Sequence, residues 1–259
     1  MNVSFIGAGN LAWHIAPALD NTEYSVKEVF SANPGNARDL AERLYHAQVK
    51  ETLDFSDSSS TIFIIAVSDD AIADIAREIA LPEEALLVHT SGSQPLTVLE
   101  YAATPRIGVF YPLQTFTKQR KVALADVPFF IESEDADAES VLVRMARSLS
   151  KHVHKISSSQ REALHVAAVF ASNFTNHMLK IAEDVTVEHK LDFDWLKPLI
   201  VETVNKSLSL GPEKAQTGPA RRGDLEILDK HLEFLHHDEA VATIYRLVSQ
   251  HILDHYATD

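Results

Sequence analysis

Apolar residues follow two rhythms along the chain. Through residue 156, short apolar runs alternate with segments whose apolar positions recur every three or four residues. The runs at 3–6, 26–30, 61–67, 86–89, 106–110, 128–132 and 152–156 are mostly Val, Ile and Phe and predict strands. TIFIIAV at 61–67 is continuous rather than alternating, as a strand buried on both faces requires. The segments 10–19, 37–45, 70–80 and 135–149 predict helices between them. Strand and helix alternating at this spacing predict a parallel sheet covered by helices on both faces. From residue 157 only the helical rhythm remains, over 160–189, 193–208, 225–235 and 240–256, with the serines at 157–159 offering a cap. The expected fold is therefore an α/β, doubly wound N-terminal domain over 1–156, followed by an all-α C-terminal domain over 157–259.

The first strand runs straight into a glycine motif. FIGAGNLAWHIA places Gly7-x-Gly9-x-x-Ala12 between the first strand and the first helix. Gly7 permits a tight turn, Gly9 lets backbone approach a pyrophosphate, and Ala12 allows close helix–strand packing. Asn10 and Leu11 open the helix, whose free N–H groups and dipole favour phosphate. In an alternating βα context this predicts a bound dinucleotide. The second strand ends at Ser31 and Asn33 with no acidic residue for a ribose 2′-hydroxyl, so NADP is favoured over NAD. Val67 and Ser68, after the TIFIIAV run, fall where a doubly wound fold lines its crevice. Asp69 and Asp70 read as first-turn acids of the next helix. HTSGS at 89–93 follows the next strand in the same way. His89 is a candidate proton donor there, and Ser91 and Gly92 are candidates for the substrate end.

Composition narrows the classes. The chain has 259 residues, 46% of them hydrophobic, with a formal net charge of −14. Both domains are acidic, so a nucleic-acid partner is not expected. Absence of cysteine excludes disulfides, thiolate metal sites and cysteine nucleophiles. His251 and His255 have metal-compatible spacing but no third ligand beside them, and no metal is expected. MNVSFIGAGN lacks the features of a signal peptide, and no apolar run is long enough to span a bilayer. A cytoplasmic protein without a membrane partner is expected. Neither a GxSxG elbow nor a Walker motif is present.

Two further features carry chemistry. At about 100° per residue, His165, Ser172 and Asn176 fall within about 20° of one line on the long helix, with Asn173 to one side. His165 is the favoured acid–base group, because an imidazole titrates near neutrality. TGPARRGD at 217–224 sets Arg221 and Arg222 between a Gly-Pro turn and Asp224. Arginine binds carboxylate or phosphate bidentately, so either could hold an anionic substrate. The alternative is an internal salt bridge, with Asp224 capping the next helix.

The motifs GAGNLA at 7–12, HTSG at 89–92, YPLQTF at 111–116, HVAAVFASNFTNH at 165–177 and TGPARRGD span nearly the whole chain. The chain resembles the family around deazaflavin-dependent NADP oxidoreductases and pyrroline-5-carboxylate reductases, in the branch that joins a Rossmann-like domain to an uncharacterised helical domain. That resemblance implies an NADP cofactor and a homodimer built through the C-terminal helices. Related hydroxyacid dehydrogenases carry a lysine four residues before an asparagine on the first helix after the nucleotide domain. Here Ser172 or Asn173 stands in the lysine's place. Tyr111 replaces the family's usual histidine before Pro-Leu-Gln. The expected activity is reduction of a small carbonyl or imino acid by hydride transfer from NADPH, with His165, Asn173 and His89 as catalytic candidates. The alternatives are a non-catalytic NADP(H)-binding sensor or scaffold dimer, and a prephenate-type or hydroxyacid dehydrogenase.

Overall fold

The apolar runs assemble into one eight-stranded sheet. The computed structural model describes residues 1–256; residues 257–259, the end of the expected helical domain, lie outside the described residues. The strands are β1 (Asn2–Ile6), β2 (Ser25–Phe30), β3 (Gln48–Lys50), β4 (Ile62–Ile65), β5 (Leu86–His89), β6 (Ile107–Pro112), β7 (Phe129–Glu132) and β8 (Val153–Lys155). Their order is β3-β2-β1-β4-β5-β6-β7-β8. Every neighbouring pair is parallel except β6 and β7. β4 is paired on both sides and wholly buried, which explains its unbroken apolar sequence. The strand order reverses between β1 and β4, so a crevice opens at their carboxyl ends. β3 was not expected: a three-residue edge strand leaves no readable alternation.

Helices α1 (Asn10–Asp20), α2 (Pro34–Ala41), α3 (Ile72–Glu78) and α4 (Ala136–Leu149) connect the strands. α2 begins earlier than the expected 37, because the Asn33 side chain accepts from the Gly35 N–H at 2.9 Å and Pro34 supplies the first turn. The expected helix over 70–80 divides into a 3₁₀ turn, Asp69–Ala71, and α3.

The described residues form two compact units, one over 1–173 and one from 174 onward. The division falls after the expected boundary at 156/157. α5 (Ser158–Ala168) stays with the sheet because its Arg161 side chain is buried among groups of β7 and the loop after β5. A capping box of Ser157 and Gln160 starts this helix. The long helix expected over 160–189 is not continuous. A π-helical turn, Val169–Phe174, separates α5 from α6 (Thr175–Glu188). The wider turn changes the angular advance per residue, so a face computed at α-helical pitch fails beyond it.

The second unit holds α6, α7 (Lys197–Leu210), α8 (Pro212–Ala215), α9 (Pro219–Arg222), α10 (Leu225–Phe234) and α11 (Glu239–Tyr256), with no strand among its described residues. Its buried apolar set is small, chiefly Ala215, Ala220, Leu228, Leu235 and Ala242. No residue of α7 is buried. No helix among the described residues is long and apolar enough to cross a membrane.

Candidate active site

The first cavity, about 590 Å³, opens at the carboxyl ends of β1, β2 and β4. Gly7, Gly9, Asn10 and Leu11 form one wall, Ser31 and Asn33 another, and Val67 and Ser68 a third. Gly7 has φ 110, a conformation that only glycine adopts easily, and its N–H donates to the Phe30 carbonyl at 2.7 Å. Gly9 occupies the N-cap of α1 with no side-chain bond to the first turn. A Cβ there would meet no protein atom within 4 Å, so the space beside it belongs to the cleft. Exposed helix N–H groups beside a glycine backbone suit a pyrophosphate, and the residues present fit a dinucleotide. Ala12 is fully buried in the core, where it packs α1 on the sheet. Asn33 also caps α2, which leaves its amide NH₂ as its remaining donor group. Arg38 is exposed and absent from the cleft wall.

A second cavity, about 680 Å³, shares Leu11, Asp69, Thr90 and Ser91 with the first. Gly92, Tyr111, Gln114, Thr115, His165, Ser172 and Asn173 also line it, and Leu113, Phe116 and Leu164 supply apolar surface. The Tyr111 hydroxyl lies 3.3 Å from His165 Nδ1. Burial raises the Tyr111 hydroxyl above its ordinary pKa, so it stays protonated. Gly92 leaves the space that this pair occupies. A Cβ there would overlap His165 Nδ1 and sit 2.8 Å from the Tyr111 hydroxyl. Ser91 is committed locally: its hydroxyl accepts the N–H groups of Ser93 and Gln94 at 3.1 and 3.0 Å.

The sequence-derived stripe separates here. His165, Ser172 and Asn173 line the cavity together, whereas Asn176 falls in the second unit, beyond the π turn. His89 lines neither cavity and is fully buried. Its Nδ1 accepts the Ser91 N–H at 3.2 Å. Burial, with the Arg161 charge adding to it, pushes its pKa down to about 3. A neutral, sealed imidazole cannot deliver a proton near pH 7, so the donor role expected of His89 is corrected to ordering the loop after β5. The sign of its titration is testable. Between about 6.5, the ordinary value, and about 3, the unfolded chain takes up a proton that the folded chain refuses. Stability contributed by this group is therefore complete above about 6.5 and falls with pH by up to about 1.4 kcal/mol per pH unit. Urea unfolding at pH 7 and pH 5 should show a shallower pH slope in His89→Gln than in the native chain; equal slopes would contradict a buried neutral His89.

TGPARRGD is not an open loop. It contains α9, closed by Gly223 at φ 69, and the Asp224 carboxylate caps α10 through the Ile227 N–H. The Arg221 guanidinium stacks on the Tyr256 ring at 4.1 Å and donates to the Tyr256 carbonyl. Arg222 is exposed, and both arginines belong to the second unit. Among the described residues no three His, Asp or Glu side chains converge as a metal site.

Residues 2–92 match the family model described as NADP oxidoreductase, coenzyme F420-dependent, and residues 127–252 match a domain of unknown function, DUF2520. A candidate NADP oxidoreductase from Bacteroides fragilis has a solved structure with TM-score 0.90 and 40% identity, covering 98% of each chain. The chain belongs to the same family of NADP oxidoreductases. An imine reductase from Myxococcus stipitatus, solved with NADP+, gives TM-score 0.62 at 16% identity over 98% of this chain and 92% of that one. A reductive aminase from Aspergillus terreus, solved with NADPH and ethyl levulinate, gives 0.70 at 14% over 98% and 94%. At those identities the likeness is one of fold. No curated protein matches the chain in sequence.

Membership in an NADP oxidoreductase family agrees with the cofactor expected from Ser31 and Asn33. Sequence reading missed Arg161. Its side chain is 1% exposed, yet SSQRE reads as the polar first turn of an ordinary surface helix. Its Nη2 lies 3.0 Å from Glu132 Oε2, and its Nη1 donates to the carbonyls of Ser91, Gly92 and Gln94 at 3.0, 3.2 and 2.7 Å. These acceptors are backbone atoms far away in sequence, so no side-chain pattern announces them.

Proposed function

We propose that the protein reduces a small C=O or C=N compound with NADPH, using Tyr111 and His165 as its proton-handling pair. The observation that carries this reading is the continuity of the two cavities. A glycine-lined cleft suited to a dinucleotide runs past Asp69, Thr90 and Ser91 into a chamber holding a tyrosine–histidine pair. NADPH supplies a hydride when bound. The first-turn N–H groups of α1 would hold its pyrophosphate, and Ser31 and Asn33 would donate to the ribose phosphate. With protons on both nitrogens, His165 would hold the Tyr111 oxygen with its Nδ1–H and give its Nε2 proton to a reduced oxygen or nitrogen, ending as a neutral imidazole. Asn173 orients the substrate, and Leu113 and Phe116 exclude water. Missing lysine chemistry at Ser172 and Asn173 weighs against hydroxyacid dehydrogenation.

The helical unit is proposed to pair with a second copy. α7 presents Leu199, Val201, Val204 and Leu208 to solvent, and an apolar cavity of about 440 Å³ opens between α6, α10 and α11. Isolated exposed apolar residues need no partner, but a whole helix of them does.

The test has three readings on one preparation. NADPH should raise the melting temperature more than NADH, since stabilisation follows affinity. NADPH should be consumed in the presence of cyclic imines or ketones, and His165→Ala should lower kcat on the order of 10²-fold without loss of NADPH binding. Sedimentation should give twice the 28.7 kDa chain mass. A larger shift with NADH would sink the NADP assignment. Tight NADPH binding with no turnover would convert the enzyme reading into the sensor reading.

A further inference from the structure

We infer that the substrate is a cation, a protonated imine, rather than an acid, and that Asp69 selects it. The inference rests on the reductase reading above and names its substrate class. Asp69 lines both cavities and so stands where they meet. It is the only aspartate or glutamate on either wall, and neither wall has a lysine or arginine. The carboxylate is fixed from one side, where the Ser93 hydroxyl donates to Oδ2 at 2.5 Å. No Lys or Arg pairs with it among the described residues, so its negative charge is directed to the cavity junction and its solvent. The Asp69 charge also reaches inward, where it opposes ionisation of Tyr111. A substrate carboxylate brought into this chamber would meet a like charge with no cation on the wall to offset it. The charge expected of the substrate is thereby reversed. The two arginines that suggested an anion both belong to the second unit, where Arg221 is stacked on Tyr256.

The charge balance of the reaction agrees. A protonated imine has its positive charge on C=N. Its carbon accepts a hydride with both electrons, forming C–H, and the C=N π pair moves onto nitrogen, which keeps the proton that His165 supplied to it. The product is a neutral amine and the oxidised nicotinamide carries the positive charge. One positive charge is therefore present near the junction before and after transfer, and a fixed carboxylate stabilises both states. A ketone would lack that charge at the start and would need a proton from His165 as its oxygen is reduced.

The test separates charge selection from the reductase reading by measuring binding without turnover. The full chain is saturated with NADPH, whose nicotinamide is uncharged, and cyclopentylamine and cyclopentanecarboxylate, neither of them reducible, are titrated calorimetrically at pH 7. The amine should bind at least tenfold more tightly. Asp69→Asn should remove most of that preference, and Asp69→Glu, which keeps the charge, should restore it; matching thermal melts exclude misfolding. Tighter binding of the carboxylate, equal binding of the two ions, no binding of either, or a preference that survives Asp69→Asn would overturn the inference. Failure of NADPH itself to bind would overturn the reductase reading and this inference together. A parallel comparison of 2-methyl-1-pyrroline with 1-pyrroline-2-carboxylate as substrates should favour the former by a similar factor in kcat/KM.

Discussion

Gly7→Ala should abolish dinucleotide binding and weaken the sheet unit at the same time. At φ 110 any Cβ is strained, at a cost of about 1–3 kcal/mol. The new methyl would also sit 2.6 Å from the Ala66 carbonyl carbon and 2.9 Å from a Val67 methyl. Neither side can yield cheaply. The Gly7 N–H is bonded to the Phe30 carbonyl and the Ala66 N–H to the Ile6 carbonyl, both at 2.7 Å, so β1, β2 and β4 converge on this point. Overpacking adds about 1–3 kcal/mol, and the sum is a large share of the stability of an ordinary domain. Gly9→Ala isolates the cofactor term. Its φ is −77 and its Cβ would meet no protein atom, so the fold should be unaffected while NADPH affinity falls. Urea unfolding and NADPH titration of the two variants should therefore diverge. A Gly7→Ala protein as stable as the native chain, or one that binds NADPH equally well, would show that β1 does not close the cleft as described.

Legibility in the sequence followed from how local each signal is. The parallel sheet was readable because a strand buried on both faces, such as β4, must be apolar throughout, and because GAGNLA joins a strand to a helix by local turn chemistry. The cleft residues Gly7, Gly9, Ser31 and Ser68 were readable for the same reason: each stands directly after a strand, where a doubly wound fold places its crevice. Three features were hidden by non-local or non-periodic causes. The π turn at 169–174 leaves no mark in composition, yet it carries Ser172 and Asn173 on the cavity wall with His165. His89 stands at the end of a strand with the polarity of a catalytic group, and only tertiary burial makes it neutral. Asp69 read as a helix-start acid, but its nearest partner is Ser93 in another loop, which turns it toward the junction of two cavities.

Arg161→Leu should be among the most destabilising single changes in the sheet unit. A buried ion pair is poor evidence for stability by itself, because desolvation offsets most of the attraction. Removing one partner is different, since it leaves the other charge buried alone, at about 3–5 kcal/mol. Here the loss is wider than the Glu132 carboxylate, whose side chain is 14% exposed. The carbonyls of Ser91, Gly92 and Gln94 would lose their shared donor as well. Arg161→Lys tests the geometry. It keeps the charge, but one ammonium lacks the planar fork that reaches a carboxylate and three carbonyls together, so its stability should fall between the two. Denaturant midpoints would rank the three proteins. Arg161→Leu within about 1 kcal/mol of the native chain would mean that the fork is redundant. The ranking also bears on chemistry. Ser91 and Gly92 border the substrate chamber, and Gly92 touches the space that Tyr111 and His165 need. His165 stands one turn beyond Arg161 on α5, so one guanidinium fixes both the loop and the helix that face each other across the pair. An Arg161→Lys protein that remains folded should therefore keep its NADPH affinity and lose kcat, because the cofactor cleft is built on β1 and α1 while the proton-handling pair is aligned from α5.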